Sequence, residues 1–283
     1  MLFNKKKLGL MQGRLSPMYN GKIQSFPKHH WEKEFKELNK LGINFLEWTL
    51  DHKELLNNPL IEEQGIKKIK KLKKKYNIKI NSLTGDCFMQ KPFWKEKGKE
   101  KEKLINLLIL ILNKSKMIGI SKIIIPLVDN GSIDNKYQLK VLLKTLTEVL
   151  PILKKNKQML LFEVNFNPIK TLEFINQLNS KYFGINYDIG NSASLGFDPV
   201  KEINHYGKFI KNVHIKDRVF KGSTVRLGFG NASFDKVFSV LKKKDYKGNF
   251  ILQNRPALAI SGTTVSIILL LSMILSINNN RNN

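Results

Sequence analysis

Residues 182–196 read YFGINYDIGNSASLG. A short apolar run of β type ends in Asp188, and a Gly-Asn pair follows where a buried strand would ordinarily continue with Val or Ile. Asp and Asn commonly open turns by hydrogen-bonding their own backbone, and a turn is what this stretch supports by itself. A carboxylate with a chemical task becomes the better reading only if other strands in the chain also end in polar groups that meet Asp188 in space.

Working outward in both directions, similar runs recur at residues 8–11, 43–50, 78–83, 122–127, 159–165, 184–187, 213–215 and 249–253. Between them lie segments with apolar residues at three- and four-residue spacing, such as WEKEFKELNKLG (31–42) and KVLLKTLTEVLPILKKN (140–156). Strand and helix alternate through most of the 283 residues with no Gly/Ser/Pro-rich linker, so residues 1–255 read as one domain. Strands that alternate with helices form a parallel sheet, and eight is the number that closes a (β/α)8 barrel, which typically takes about 250 residues.

In such a barrel the chemistry sits where strands end and loops begin, at the C-terminal face. The ends read Glu47 and Asp51, Asp86, Asp129, Glu163 and Asn165, Asp188, then His214 with Asp217 and Arg218, and finally Gln253 and Arg255. Singly, each is most simply a turn former or a satisfied buried polar group, but together they form a ring at one mouth. A divalent metal takes carboxylate oxygens and imidazole nitrogen and leaves positions open for substrate oxygens. Glu163, Asp188 and His214 supply that set from three consecutive strands, whose lateral spacing of about 4.8 Å lets the side-chain tips share one ion.

The segments LLFEVN (160–165), GINYDIGN (184–191) and NVHIKDR (212–218), with the Gly-rich stretch that follows, resemble the xylose isomerase-like TIM barrels, the sugar phosphate isomerase/epimerase superfamily that also contains endonuclease IV. The segments LGLMQGRLSP and INFLEWTLD are similar to the branch near L-ribulose-5-phosphate 3-epimerase and hexulose-6-phosphate isomerase. The resemblance spans residues 8–255. It implies a metal such as Mn, Mg, Co or Zn on Glu163, Asp188, His214 and a fourth ligand on the last strand, where this chain carries Gln253 instead of the usual Glu. An amide oxygen can ligate a metal but adds no charge and accepts no proton. This inclines the expected reaction towards aldose–ketose isomerisation with one base, Glu163, over two-base epimerisation, although Glu47, Asp86 or Asp217 could serve as a second base. Arg218 resembles the substrate-contacting arginine of ketose epimerases. Asn191, Asp217, Lys216 and Glu47 complete the expected substrate-binding group. Loop 221–231, KGSTVRLGFGN, reads equally as a phosphate loop after the seventh strand and as glycines that merely turn the chain.

The net charge of +26 comes from Lys runs such as GIKKIKKLKKKYNIK (65–79), spaced as the wet faces of amphipathic helices and not interleaved with aromatics. This spacing argues against nucleic acid as a partner; the resemblance implies a small sugar or sugar phosphate, and an acidic one such as a sugar phosphate would be drawn in by the positive field. A trinuclear nuclease site needs several histidines. Of the five here only His214 falls on a matching motif, and Asn191 stands where a second-metal histidine would follow Asp188. A non-catalytic barrel of the same family is the other alternative. A single cysteine, Cys87, and no evident signal peptide fit a reducing cytoplasm, and a homo-oligomer is compatible with the fold. Residues 256–283 differ from the rest. Ala257 to Ile277 are 21 uncharged residues, open to three readings: a final barrel helix, an altered reading frame or a membrane segment.

Overall fold

The computed structural model describes residues 7–17 and 25–253. Eight parallel strands close on themselves: β1 (Leu8–Met11), β2 (Phe45–Thr49), β3 (Lys79–Thr84), β4 (Lys122–Leu127), β5 (Met159–Val164), β6 (Phe183–Asp188), β7 (Ile210–Ile215) and, last in the chain, β10 (Asn249–Leu252). Each pairs with its sequence neighbours, and β10 closes the ring against β1. The expected (β/α)8 architecture is therefore the one formed, with all eight strands where the sequence puts them to within three residues at either end. A two-residue hairpin, β8 (Asp217–Arg218) with β9 (Thr224–Val225), is added after β7. The apolar tail expected as a separate segment, 256–283, and Arg255 lie outside the described residues. Among those that are described, no helix is long and apolar enough to cross a membrane.

The helices form as their patterns dictate. In α1 (Trp31–Lys40) Trp31, Phe35 and Leu38 lie on one buried stripe, and in α2 (Glu63–Tyr76) Ile66 and Ile69 do, leaving the lysines outside. Asn77 ends α2 in the left-handed conformation, a role Asn tolerates as few residues do. Between β3 and β5 come α3 (Asp86–Gln90), α4 (Gly98–Lys116) and α5 (Lys136–Asn156), the last capped by the Asn135 side chain accepting from Gln138 N. Asn167 caps α6 (Pro168–Leu178) and Asp198 caps α8 (Pro199–Tyr206), each with Pro at the first helical position, where its missing N–H costs nothing. The short α7 (Ile189–Leu195) follows β6 directly, and α9 (Phe234–Lys243) precedes β10.

Strand alternation divides the core in two. Outward-facing Trp48, Leu83, Ile123, Leu160, Phe162, Val213 and Phe250 pack beneath the helices and are fully buried. Inward, where such barrels usually stack branched aliphatics, the lumen carries Glu47, Ser82, Thr84, Glu163, Asn186, Asp188, Asn212 and His214, all buried. Polar groups in so dry a place must satisfy one another, and this requirement fixes the geometry of the site.

Candidate functional site

Strand register builds the cluster. Asp188 on β6 is the lateral partner of His214 on β7, and one layer below, Asn186 is the partner of Asn212. With Phe162 beside Ile185, the next residue along β5, Glu163, falls level with Asn186. One ligand atom from each of Glu163, Asp188 and His214 lies within 4.8 Å of the others, and all three residues are buried. Among the described residues no other His/Cys/Asp/Glu group with metal-holding spacing occurs. The expected trio is thus brought together at the C-terminal end of three neighbouring strands.

Each member is held by other side chains. His214 Nε2 lies 2.7 Å from Glu47 Oε1, so its other nitrogen, Nδ1, faces Asn186 Nδ2 at 3.1 Å, Glu163 Oε2 at 3.3 Å and Asp188 Oδ2 at 3.9 Å. Burial alone would lower the imidazole pKa, but the Glu47 and Glu163 carboxylates outweigh it and hold the pKa up at about 10. Glu163 accepts from Asn186 Nδ2 at 2.8 Å on one oxygen and from Asn191 Nδ2 at 2.5 Å on the other. Asp188 divides its oxygens. Oδ1 accepts from Asn191 N and caps α7, so the turn reading of residues 182–196 holds for that atom. Oδ2 is buried without a well-formed hydrogen bond, and the Lys216 ammonium stands 2.8 Å from it.

The donor set suits a divalent metal of hard or borderline character. It combines carboxylate oxygen with imidazole nitrogen, it includes an oxygen not committed to another hydrogen bond, and the far nitrogen of the histidine rests on a carboxylate, as metal-ligating histidines usually do. Gln253, expected as a fourth ligand, is buried at the end of β10, its backbone N–H bonded to Ile215 O.

Several other expected residues have different surroundings from those anticipated. Glu47, expected to touch substrate, is fully enclosed on the far side of the imidazole from Glu163 and Asp188, where it accepts from Thr84 Oγ1 and Asn212 Nδ2 as well. Asp217, another expected substrate contact, is also fully buried. Its oxygens accept the backbone N–H groups of Gly228, Gly230 and Ala232, which fold the loop back on β7. A side chain at Gly230 would collide with Asp217 Oδ1, which explains that glycine. Within loop 221–231 the Gly228 and Gly230 amides are thereby committed to Asp217. Arg218 is tethered through Nε and Nη2 to Gly222 O, and its Nη1 donates to Asn191 Oδ1 at 2.8 Å. Asn191 therefore links Glu163, Asp188 and Arg218.

Two residues that sequence reasoning did not single out belong here. Asn186 and Asn212 lie two positions before Asp188 and His214 on the same strand faces, a period-two signal that was available. Arg14, just past β1, is buried with Asp86 and Glu34 close by, and burial lowers its pKa to about 10. A hollow of about 400 Å3 beside β2, lined by residues including Phe26, Trp31, Asp51 and Gln90, contains none of the cluster. Although it is the roomier space, ligating atoms converge only at Glu163, Asp188 and His214, and chemistry requires the donors.

The family model for xylose isomerase-like TIM barrels matches residues 35–263. The chain belongs to that family. Among solved structures, a D-allulose 3-epimerase from Methylomonas sp. superposes with TM-score 0.75 at 14% identity, covering 96% of this chain and 99% of the other. A xylose isomerase-like TIM barrel protein from Mycobacterium smegmatis, in complex with magnesium, does so with TM-score 0.66 at 14% identity, covering 91% and 92%. An uncharacterized protein of Methanocaldococcus jannaschii is 28% identical over 95 residues, 32% of each chain. At these identities the structural likeness speaks for the xylose isomerase-like fold, and the chemistry must be argued from the site.

Proposed function

We propose that this xylose isomerase-like barrel is a metal-dependent isomerase or epimerase of a sugar or sugar phosphate, working through an enediolate. The observation that carries the reading is the convergence of Glu163, Asp188 and His214 within 4.8 Å at the barrel mouth, with His214 backed by Glu47. Glu163, Asp188 and His214, with Gln253 as a neutral fourth donor, would hold Mn, Mg, Co or Zn. The ion would supply Lewis-acid polarisation of adjacent hydroxyl and carbonyl oxygens. Glu163 is the base. Amides on both its oxygens fix its orientation, so it can take a proton from one sugar carbon and return it to the next. Asn191 and Arg218, joined to one another, form the polar wall nearest Glu163 and contact the sugar hydroxyls.

Isomerisation is favoured over epimerisation. A two-base mechanism needs a second carboxylate facing the sugar, whereas Gln253 accepts no proton, Glu47 lies behind His214, Asp217 is committed to three amides, and Asp86 is buried near the Arg14 guanidinium. A cytoplasmic setting is proposed on the single cysteine, which is buried. The sugar epimerase named among the structural neighbours supports the substrate class.

The test is to strip the purified protein with chelator, return Mn, Mg, Co or Zn singly, and incubate with a panel of aldoses, ketoses and their phosphates in D2O. Metal-dependent interconversion, with deuterium appearing at the carbon next to the carbonyl, is the expected result. A folded protein that retains no ion and exchanges no carbon-bound hydrogen on any sugar would overturn the proposal in favour of a non-catalytic barrel.

A further inference from the structure

Lys216 is out of place for a lysine. It follows β7 directly, is 8% exposed, and sets its ammonium 2.8 Å from Asp188 Oδ2. Lysines bury so completely only when paired, and the stem has a slot made for it. A methyl group at Gly190 would lie 3.0 Å from both Cγ and the backbone oxygen of Lys216, so the absent side chain at 190 lets the lysine lie against the first turn of α7. Asp188 Oδ1 is already taken by Asn191 N. Oδ2 is the Asp188 oxygen with no hydrogen bond and the one that faces His214 Nδ1, and the ammonium stands on it.

We infer that Lys216 is a built-in competitor for the metal: the ammonium and an incoming divalent cation claim the same Asp188 oxygen, so that binding the ion requires Lys216 to swing away. The inference rests on the metal reading above and adds a determinant of affinity to it. Two features of this chain then act in the same direction, since Gln253 withholds a negative charge and Lys216 adds a positive one. The result is an ion held in exchange with solution instead of permanently, and an ammonium released near the sugar oxygens at the moment the ion seats.

The experiment is titration of chelator-stripped protein with Mn2+ alone, by calorimetry and by thermal unfolding, for the wild type and Lys216→Met, Lys216→Gln and Lys216→Arg. Lys211→Met removes a charge from the other end of the same strand as a control. If Lys216 competes, the Met and Gln variants bind Mn2+ roughly tenfold or more tightly. They unfold at lower temperature without ion, because Asp188 has lost its counter-charge, and gain more on adding it than wild type does. Lys216→Arg and Lys211→Met stay near wild type. Two neutral variants guard against one failing to fold. Unchanged or weaker Mn2+ binding by both neutral variants overturns the inference alone. Equal tightening by Lys211→Met overturns it too, by reducing the effect to net charge. Absence of Mn2+ binding in every protein, wild type included, overturns the metal reading and the inference with it.

Discussion

His214 and Glu47 meet across 2.7 Å inside the barrel, with both side chains fully enclosed. The carboxylate fixes the proton on Nε2 and turns Nδ1 towards Glu163 and Asp188. Removing its charge while keeping its shape should loosen the histidine's grip on an ion. Glu47→Gln is expected to weaken Mn2+ affinity about 10- to 100-fold, the usual cost of losing such an outer partner. Calorimetric titration measures this, and a change under about threefold would separate Glu47 from ion binding.

The same carboxylates that hold the His214 pKa at about 10 keep the imidazole protonated at pH 8, and an imidazolium offers no lone pair. Metal binding must therefore expel a proton. Titrations in buffers of different ionisation enthalpy should show close to one proton released per ion at pH 8, with affinity rising as pH rises towards 10. A heat independent of the buffer would contradict this.

Glu163→Gln keeps one accepting oxygen, sets its new amide nitrogen against the Asn186 or Asn191 donor, and removes the base. Turnover on whichever sugar proves to be the substrate should fall about 10²- to 10⁴-fold, and circular dichroism of the variant checks that the barrel still folds. Full retention of activity would transfer the proton step to another group.

Asp217 serves three backbone donors with two oxygens. Asp217→Asn leaves one accepting oxygen and should cost about 1–3 kcal/mol, the penalty for stranding buried amide groups. Urea unfolding reads the loss, and faster protease cleavage between residues 218 and 232 locates it.

Glu34 of α1 is fully buried and accepts from Gly13 N and Leu15 N. Burial raises its pKa to about 7 against those hydrogen bonds. An acid with a raised folded-state pKa contributes stability that is complete below its unfolded value near 4.5 and lost as pH rises through about 7. The change is on the order of 3 kcal/mol. Denaturation at pH 4.5 through 8 should show this fall, and Glu34→Gln should flatten it.

Much of this was legible in the sequence, for definite reasons. β-type runs alternating with lysine-faced helices fix the barrel because both periodicities are local, and strand ends in a barrel share one mouth whatever their separation along the chain. Hence Glu163, Asp188 and His214 could be grouped before any coordinates. What was not legible is which neighbour each polar group answers to. Glu47 and His214 are 167 residues apart, and only closure of the sheet between β10 and β1 puts Glu47 behind the imidazole. Asp217 looked like a mouth residue because its partners, the Gly228 and Gly230 amides, are backbone groups with no signature of their own.

The two oxygens of Asp188 have a bearing on how such proteins are read from mutational surveys. One atom starts a helix and the other faces the Lys216 ammonium, so replacing the residue with Ala would damage the architecture and the proposed chemistry together, and a screen scoring only lost function would assign both defects to chemistry. Asn carries the capping atom without the charge, which makes position 188 a place where inheritance of a shape and inheritance of an activity can be told apart.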